Sequence, residues 1–305
     1  MNKNNFYVKL LDLFLCKAYS VTRNEFREMK NFMKKFLISM ATAAVVATAG
    51  LSMAGCSQNV LTVYTESGFA PFEYVSNGQI VGVDVDIMNM VGKKLGKKVV
   101  FENVGFDTII DAVSEGKLTN VGAAGISVTE ERKEKVDFST EYYTANLYVI
   151  YPAAEASTYE STTTDNVTGV YWEAMAGKTI GIQGGTTADL FLGDELAEGG
   201  LLSGTGASKT SFQSLSVAVA DIGLNTNVVI IDELPAQQLV AGKDNLKCAP
   251  LYYKGQNDAA DELACDTYAI AVTKGQTELL NAINAVLEEL GADGIQELVN
   301  NHLGI

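Results

Sequence analysis

The sequence predicts a mixed α/β fold in two lobes, and three observations carry that expectation. Strand-like apolar runs alternate with helix-like segments at the spacing of βαβ units, which implies parallel sheet. The second half of the chain repeats the first in outline. The 305 residues leave room for two domains, and 47% apolar with 19% charged residues describes a globular chain with a real core.

Before that body comes an address. Met33-Lys34-Lys35 opens a positive n-region, residues 36–50 are an Ala-rich apolar stretch, and Leu51-Ser52-Met53-Ala54-Gly55-Cys56 follows. The pattern is a secretory signal, and residues 29–55 are set aside from the fold. An uncleaved membrane span is compatible in length, but no positive cluster follows it. Residues 1–28 sit oddly ahead of a signal, so Met29 or Met33 is the expected start.

The first lobe opens with a strand at 61–64, where apolar and polar side chains alternate. A loop with Gly68 and Pro71 leads to a helix at 85–95, ended by Gly96. A strand at 99–101, a helix at 106–113 and a strand at 121–124 follow, then a short helix bearing Arg132. Residues 144–151 are a long apolar strand. Residues 155–168 are polar and without period, a surface excursion where the second lobe begins. That lobe reads as strand 179–182, a glycine turn into a helix through Leu196, strand 209–212, helix 215–222 and strand 228–231. A helix carrying Pro235 early, where proline is tolerated, and strands at 246–251 and 267–272 come next. Amphipathic helices at 279–290 and 295–303 end the chain.

Ligands of open α/β sheets bind beyond the carboxyl ends of the strands. The loops at 66–69, 125–132 and 183–187, together with Asp232, all lie there. Among them G-A-A-G-I-S-V-T-E-E-R, from Gly122 to Arg132, stands out. Thr129 caps the coming helix, and Glu130 and Glu131 suit its first turn. Arg132 opposes the dipole there. It is either an anion seat shared with Ser127 and Thr129, or an exposed cation paired with a neighbouring Glu.

Charge and residue types exclude several functions. Residues 56–305 hold 14 Lys and Arg against 34 Asp and Glu, a net −20, with no basic run. Nucleic acid is a poor partner for such a surface. The single histidine, His302, fourth from the end, excludes most His-dependent triads and His-rich metal sites. Cys16 and Cys56 precede the body, leaving Cys248 and Cys265 either as a disulfide, favoured outside the cell, or as two free thiols.

In order, T-E-S-G-F-A-P-F-E-Y, G-V-D-V-D-I, G-F-D-T-I-I, A-G-I-S-V-T-E-E-R with V-D-F-S-T-E-Y-Y, I-G-I-Q-G-G-T-T, I-D-E-L-P and Y-A-I-A-V-T-K-G resemble one family. It is the polar amino-acid-binding proteins of bacterial ABC transporters, extracytoplasmic solute-binding proteins of family 3, and the likeness covers about residues 60–303. The resemblance implies a two-lobed type II periplasmic-binding fold, with lobe one at 61–147 plus 268–305 and lobe two at 148–267. It implies that Arg132 grips a ligand α-carboxylate, helped by the Ser127 hydroxyl and N–H and by the Thr187 N–H. The Gly125 carbonyl and the Asp232 carboxylate would hold the α-ammonium, and Phe69 and Phe106 would wall the ligand. Glu66 and Gln183 would face its side chain, and Glu66 tilts the expectation toward a polar or cationic amino acid.

Each role has a plainer counterpart. The two Phe can be core aromatics, Asp232 a helix cap, and Glu66 a solvated loop acid. The region before Cys56 resembles a lipobox, which would make Cys56 the lipid anchor and its only tie to the membrane. The implied protein is a monomer that delivers its solute to a permease with an ATPase, without catalysis, metal or cofactor. The alternatives are an exported dehydratase-like enzyme of the same fold, a solute sensor, or a binder of another small anion. The insert at 155–168 and the Gly- and Ser-rich stretch at 199–208 depart from the family pattern.

Overall fold

The computed structural model describes residues 59–257 and 259–305; the leader, the signal and Cys56 lie outside them. Strand β1 (Val60–Thr65) buries Leu61 and Val63 and hands the chain to Glu66. A small antiparallel sheet follows, of β2 (Gly68–Phe69), β3 (Glu73–Ser76) and β4 (Gln79–Val81). Helix α1 (Val83–Leu95) buries Val83, Ile87, Met88 and Val91, one stripe at helical spacing, and stops at Gly96 in the left-handed conformation. Next come β5 (Lys98–Asn103), α2 (Phe106–Glu115), β6 (Val121–Gly122), α3 (Glu130–Lys135) and β7 (Asp137–Phe138).

The long strand β8 (Tyr143–Pro152) leads into the second lobe. There the chain forms α4 (Ala156–Tyr159), β9 (Glu160–Thr162), β10 (Thr168–Tyr171), β11 (Thr179–Gln183) and α5 (Thr187–Leu196). It continues through β12 (Ser208–Phe212), α6 (Leu215–Ala220), β13 (Val228–Asp232), α7 (Glu233–Val240) and β14 (Leu246–Tyr253). The chain returns through β15 (Glu262–Leu263), β16 (Cys265–Tyr268), β17 (Ala271–Val272) and α8 (Thr277–Leu303). Among the described residues no helix is long and apolar enough to cross a membrane.

The first lobe is built on a five-stranded sheet in the order β5-β1-β6-β17-β7, with β1 parallel to β5 and β6. The second is built on a nine-stranded sheet with the path β12-β11-β13-β8-β14-β10-β9, in which β11, β12 and β13 are parallel. β8 and β16 pair antiparallel, from Tyr143 opposite Tyr268 to Asn146 opposite Cys265. Both segments that join the lobes therefore run as one two-stranded ribbon.

Three expectations need correction, and one stands with a detail added. Residues 155–168 are not a featureless excursion: they form α4 and β9, and β9 pairs with β10 at the sheet edge. An edge strand with exposed Ser161 and Thr162 has no apolar alternation to read. The strand at 267–272 is two strands, because β16 pairs with β8 and β17 with β6 and β7. The two expected C-terminal helices stand, joined within α8 across a kink at Gly291, whose φ of 59° no neighbouring helical residue shares. Finally, Cys248 and Cys265 are free thiols, not a disulfide. Along β8 they stand opposite Ile150 and Asn146, four residues apart. At about 3.3 Å per residue that is some 13 Å, twice the reach of a disulfide. Burial pushes the Cys248 thiol up to about 11, which keeps it protonated and unreactive.

Candidate functional site

The carboxyl ends of β1, β6, β11 and β13 converge where the lobes meet. Glu66, Phe69, Phe106, Gly125 and Ser127 from lobe one face Gln183, Thr186, Thr187 and Asp232 from lobe two around one cavity. The space it leaves is about 10 Å³, counted as room for the centre of a water molecule, which is one water's worth. An amino acid enters only if the lobes part.

Arg132 is buried, 7% exposed, which excludes the exposed Arg–Glu pair. Thr129 caps α3 by accepting the Arg132 backbone N–H. The side chain turns inward: Nη1 donates to the Ser127 carbonyl at 2.6 Å and Nη2 to the Gly185 carbonyl at 2.8 Å. It thus ties lobe one to lobe two. Its carbon lies 5.7 Å from the Phe106 ring centre, over the ring face. Among the described residues two of its five guanidinium N–H groups have an acceptor.

Gly125 shows why this turn needs glycine. Its φ is +53°, and an added Cβ would sit 2.7 Å from the Phe69 ring. Its N–H donates to Asp84 Oδ2 at 2.9 Å, which fixes the peptide just before the one whose carbonyl the resemblance assigns to the ammonium. Asp84 also accepts the Tyr142 hydroxyl. Phe69 packs on Phe72 and Tyr268, so it is both core and cavity wall.

Asp232 ends β13 at the N-cap position of α7, yet its side chain makes no capping bond. It is 5% exposed, and its Oδ1 has no hydrogen-bond partner among the described residues. Burial, then the nearby Asp266 charge, drives its pKa well above the ordinary carboxylate value. A buried acceptor in this condition suits a cationic donor. Glu66 is also raised, chiefly by burial, with Gln183 across the cavity lowering it in part.

Three acids escaped the sequence reading of the site. Glu73 on β3 is fully buried, neither oxygen has a partner among the described residues, and burial plus Asp84 and Glu66 raises it strongly. Asp84 is raised to about 6, mainly by burial. Both lie inside quoted motifs, F-E-Y and V-D-V-D, where nothing local separates them from surface acids. Asp266 on β16 accepts the Ser127 hydroxyl at 2.8 Å and the Thr187 hydroxyl on the same oxygen. Burial raises it as well. Glu66 and Asp232 thus line the cavity, Asp84, Asp266 and Arg132 bond to residues that line it, and Glu73 is buried near Asp84 and Glu66.

The acid pair has a measurable cost. Asp84 moves from 3.8 unfolded to about 6 folded. Its contribution therefore favours the fold fully below pH 4 and fades as pH rises through 6. Glu73→Gln, which imitates the protonated partner, should flatten the rise in melting temperature on acidification from pH 7.5 to 5. The expected difference is several degrees, at about 2–4 °C per kcal/mol. Parallel pH profiles for variant and wild type, read by circular dichroism, would refute this.

The family model described as bacterial extracellular solute-binding proteins, family 3, matches residues 61–305. The chain belongs to this family. Family 3 members are binding proteins, not enzymes, and the two-lobed α/β architecture is theirs. The chain is 28% identical to a putative ABC transporter arginine-binding protein 2 of Escherichia coli K12, over 88% of this chain and 98% of that one. It is 26% identical to a probable histidine-binding protein of Campylobacter jejuni, over 87% and 96%. Among solved structures, an amino acid ABC transporter substrate-binding protein of Streptococcus pneumoniae bound to L-arginine superposes with a TM-score of 0.69. That match has 27% identity and covers 83% of this chain and 98% of that one.

Proposed function

We propose that this protein captures a free L-amino acid with a cationic side chain outside the cytoplasmic membrane and passes it to an ABC permease with its ATPase. The observation that carries this reading is the charge arrangement: Asp232, its Oδ1 orphaned, lines the cavity with Glu66, and Arg132 lies beside it, bonded to the carbonyls of the lining residue Ser127 and of Gly185 in the other lobe. A zwitterion presents opposite charges a few bonds apart, so both groups reach it only when the lobes close, and binding drives closure.

In this reading Arg132 takes the α-carboxylate with the N–H groups of Ser127 and Thr187. The Thr187 N–H is free for this, since the first N–H groups of a helix lack intrahelical partners. Asp232 and the Gly125 carbonyl take the ammonium, and Phe69 and Phe106 flank the side chain. Glu66 and Gln183 meet the distal charge. The lobes are taken as 61–147 plus 268–305 and 148–267, and the protein as a monomer tethered through lipid on Cys56. The relatives' names, a putative arginine-binding and a probable histidine-binding protein, and the L-arginine bound in the Streptococcus pneumoniae structure support the cationic choice.

Screening the common amino acids by thermal shift tests it. L-Arginine, L-lysine or L-histidine at about 100 times its dissociation constant should stabilise the fold by about 2.7 kcal/mol. A flat response to every amino acid would defeat the reading; a response confined to neutral or acidic ones would defeat its cationic part.

A further inference from the structure

We propose that Asp266 is a built-in competitor for the ligand's α-carboxylate: it takes the two hydroxyls of the carboxylate seat, drawing the lobes toward each other, until a ligand displaces it. The inference rests on the amino-acid reading above for the identity of what displaces it.

Three observations carry it. Asp266 Oδ2 accepts both the Ser127 hydroxyl of lobe one and the Thr187 hydroxyl of lobe two. Each hydroxyl has a single proton to donate. While both point at Asp266, neither is available to another carboxylate, although the two oxygens lie 3.2 Å apart at the mouth of the seat. Second, Asp266 belongs to neither wall of the cavity. It sits on β16, opposite Ala145, in the ribbon that joins the lobes, so its bonds reach outward from the hinge to each side. Third, its Oδ1 is buried without a partner among the described residues. A carboxylate placed to stay would have that oxygen satisfied.

The backbone donors are not subject to this competition. Ser127 bridges Tyr268 through the bonds from Ala269 N to Ile126 O and from Val128 N to Thr267 O. In that antiparallel pattern the Ser127 N–H itself turns away from the ribbon, toward the cavity. An arriving carboxylate can therefore engage Arg132 and the two N–H groups first. It then takes the hydroxyls from Asp266, its like-charged neighbour. Affinity is set by the difference between two carboxylates competing for the same donors, and the resting protein is held more closed than its other contacts would keep it.

The test uses Asp266→Asn, nearly isosteric and uncharged, with Asp266→Ser in parallel, and two probes: L-arginine and agmatine, the same molecule without its carboxylate. Calorimetry should show L-arginine binding tighten about tenfold in both variants, while agmatine binding is unchanged or weaker. Weaker or unchanged arginine binding, or an equal gain for agmatine, would overturn the proposal and leave Asp266 a residue that merely positions Ser127 and Thr187. Small-angle scattering without added amino acid reads the pull on the lobes directly. Both variants should have a larger radius of gyration than wild type. Identical radii would overturn that pull. Failure of wild type to bind arginine would instead count against the proposed ligand, and the scattering comparison would still decide the pull.

Discussion

Arg132→Ala is expected to lower amino-acid affinity by about two to four decades. Removing one partner of a buried ion pair leaves the other charge uncompensated, at a cost of about 3–5 kcal/mol. The side chain also links the Ser127 and Gly185 carbonyls across the cleft, so the variant loses a closure contact as well as a counter-charge. Arg132→Lys should recover only part of the loss, because an ammonium cannot present the planar fork that engages a carboxylate with two parallel bonds while still serving both carbonyls. Calorimetry with the amino acid found by thermal screening decides the matter. A loss smaller than threefold in Arg132→Ala would remove this residue from the carboxylate seat.

The second large effect is expected at Asp232, where the charge can be removed without changing the shape. Asp232→Asn should weaken binding by about 2–5 kcal/mol, since the ligand ammonium would be buried against a neutral amide. It should also abolish a pH dependence. Asp232 faces Asp266, Tyr268 and Arg132, and burial keeps its pKa well above the usual carboxylate range. An ammonium binds the ionised form, so ligand binding pulls the pKa down and expels a proton. Below the raised pKa, wild-type affinity should therefore climb up to about tenfold per pH unit and level off above it. Calorimetry in two buffers of different ionisation enthalpy should detect proton release by wild type and less by the variant. Equal proton release in both proteins would assign the titration to another acid, with Asp266 and Glu73 the next candidates.

Much of this site was legible because strand ends announce themselves. Glu66, Gly125, Gln183 and Asp232 each follow an apolar run that stops at a turn residue or a polar break, and parallel sheets put such positions on one rim. Arg132 was legible as a violation of dipole preference inside an otherwise well-formed helix start. Asp266 was not. It lies 139 residues from Ser127 and 79 from Thr187, in the four-residue strand β16, and the bridge between Tyr268 of that strand and Ser127 is a tertiary contact that no local pattern announces. Glu73 was hidden for a different reason. An acid in a short strand reads as solvated, and no local pattern announces the packing around it, where a Cβ added at Gly82 would lie 2.0 Å from the Phe72 carbonyl. The disulfide expectation failed on register, which composition and compartment do not encode.

The ribbon of β8 and β16 has a practical corollary. Four paired residues fasten the two crossings side by side, from Tyr143–Tyr268 to Asn146–Cys265. Two strands held in register bend together far more readily than they slide, so the halves swing chiefly through one angle. A single distance then tracks that angle. Dyes attached at Leu118 and Leu224, both largely in solvent and one on each half, would turn the molecule into a ratiometric gauge of its own solute.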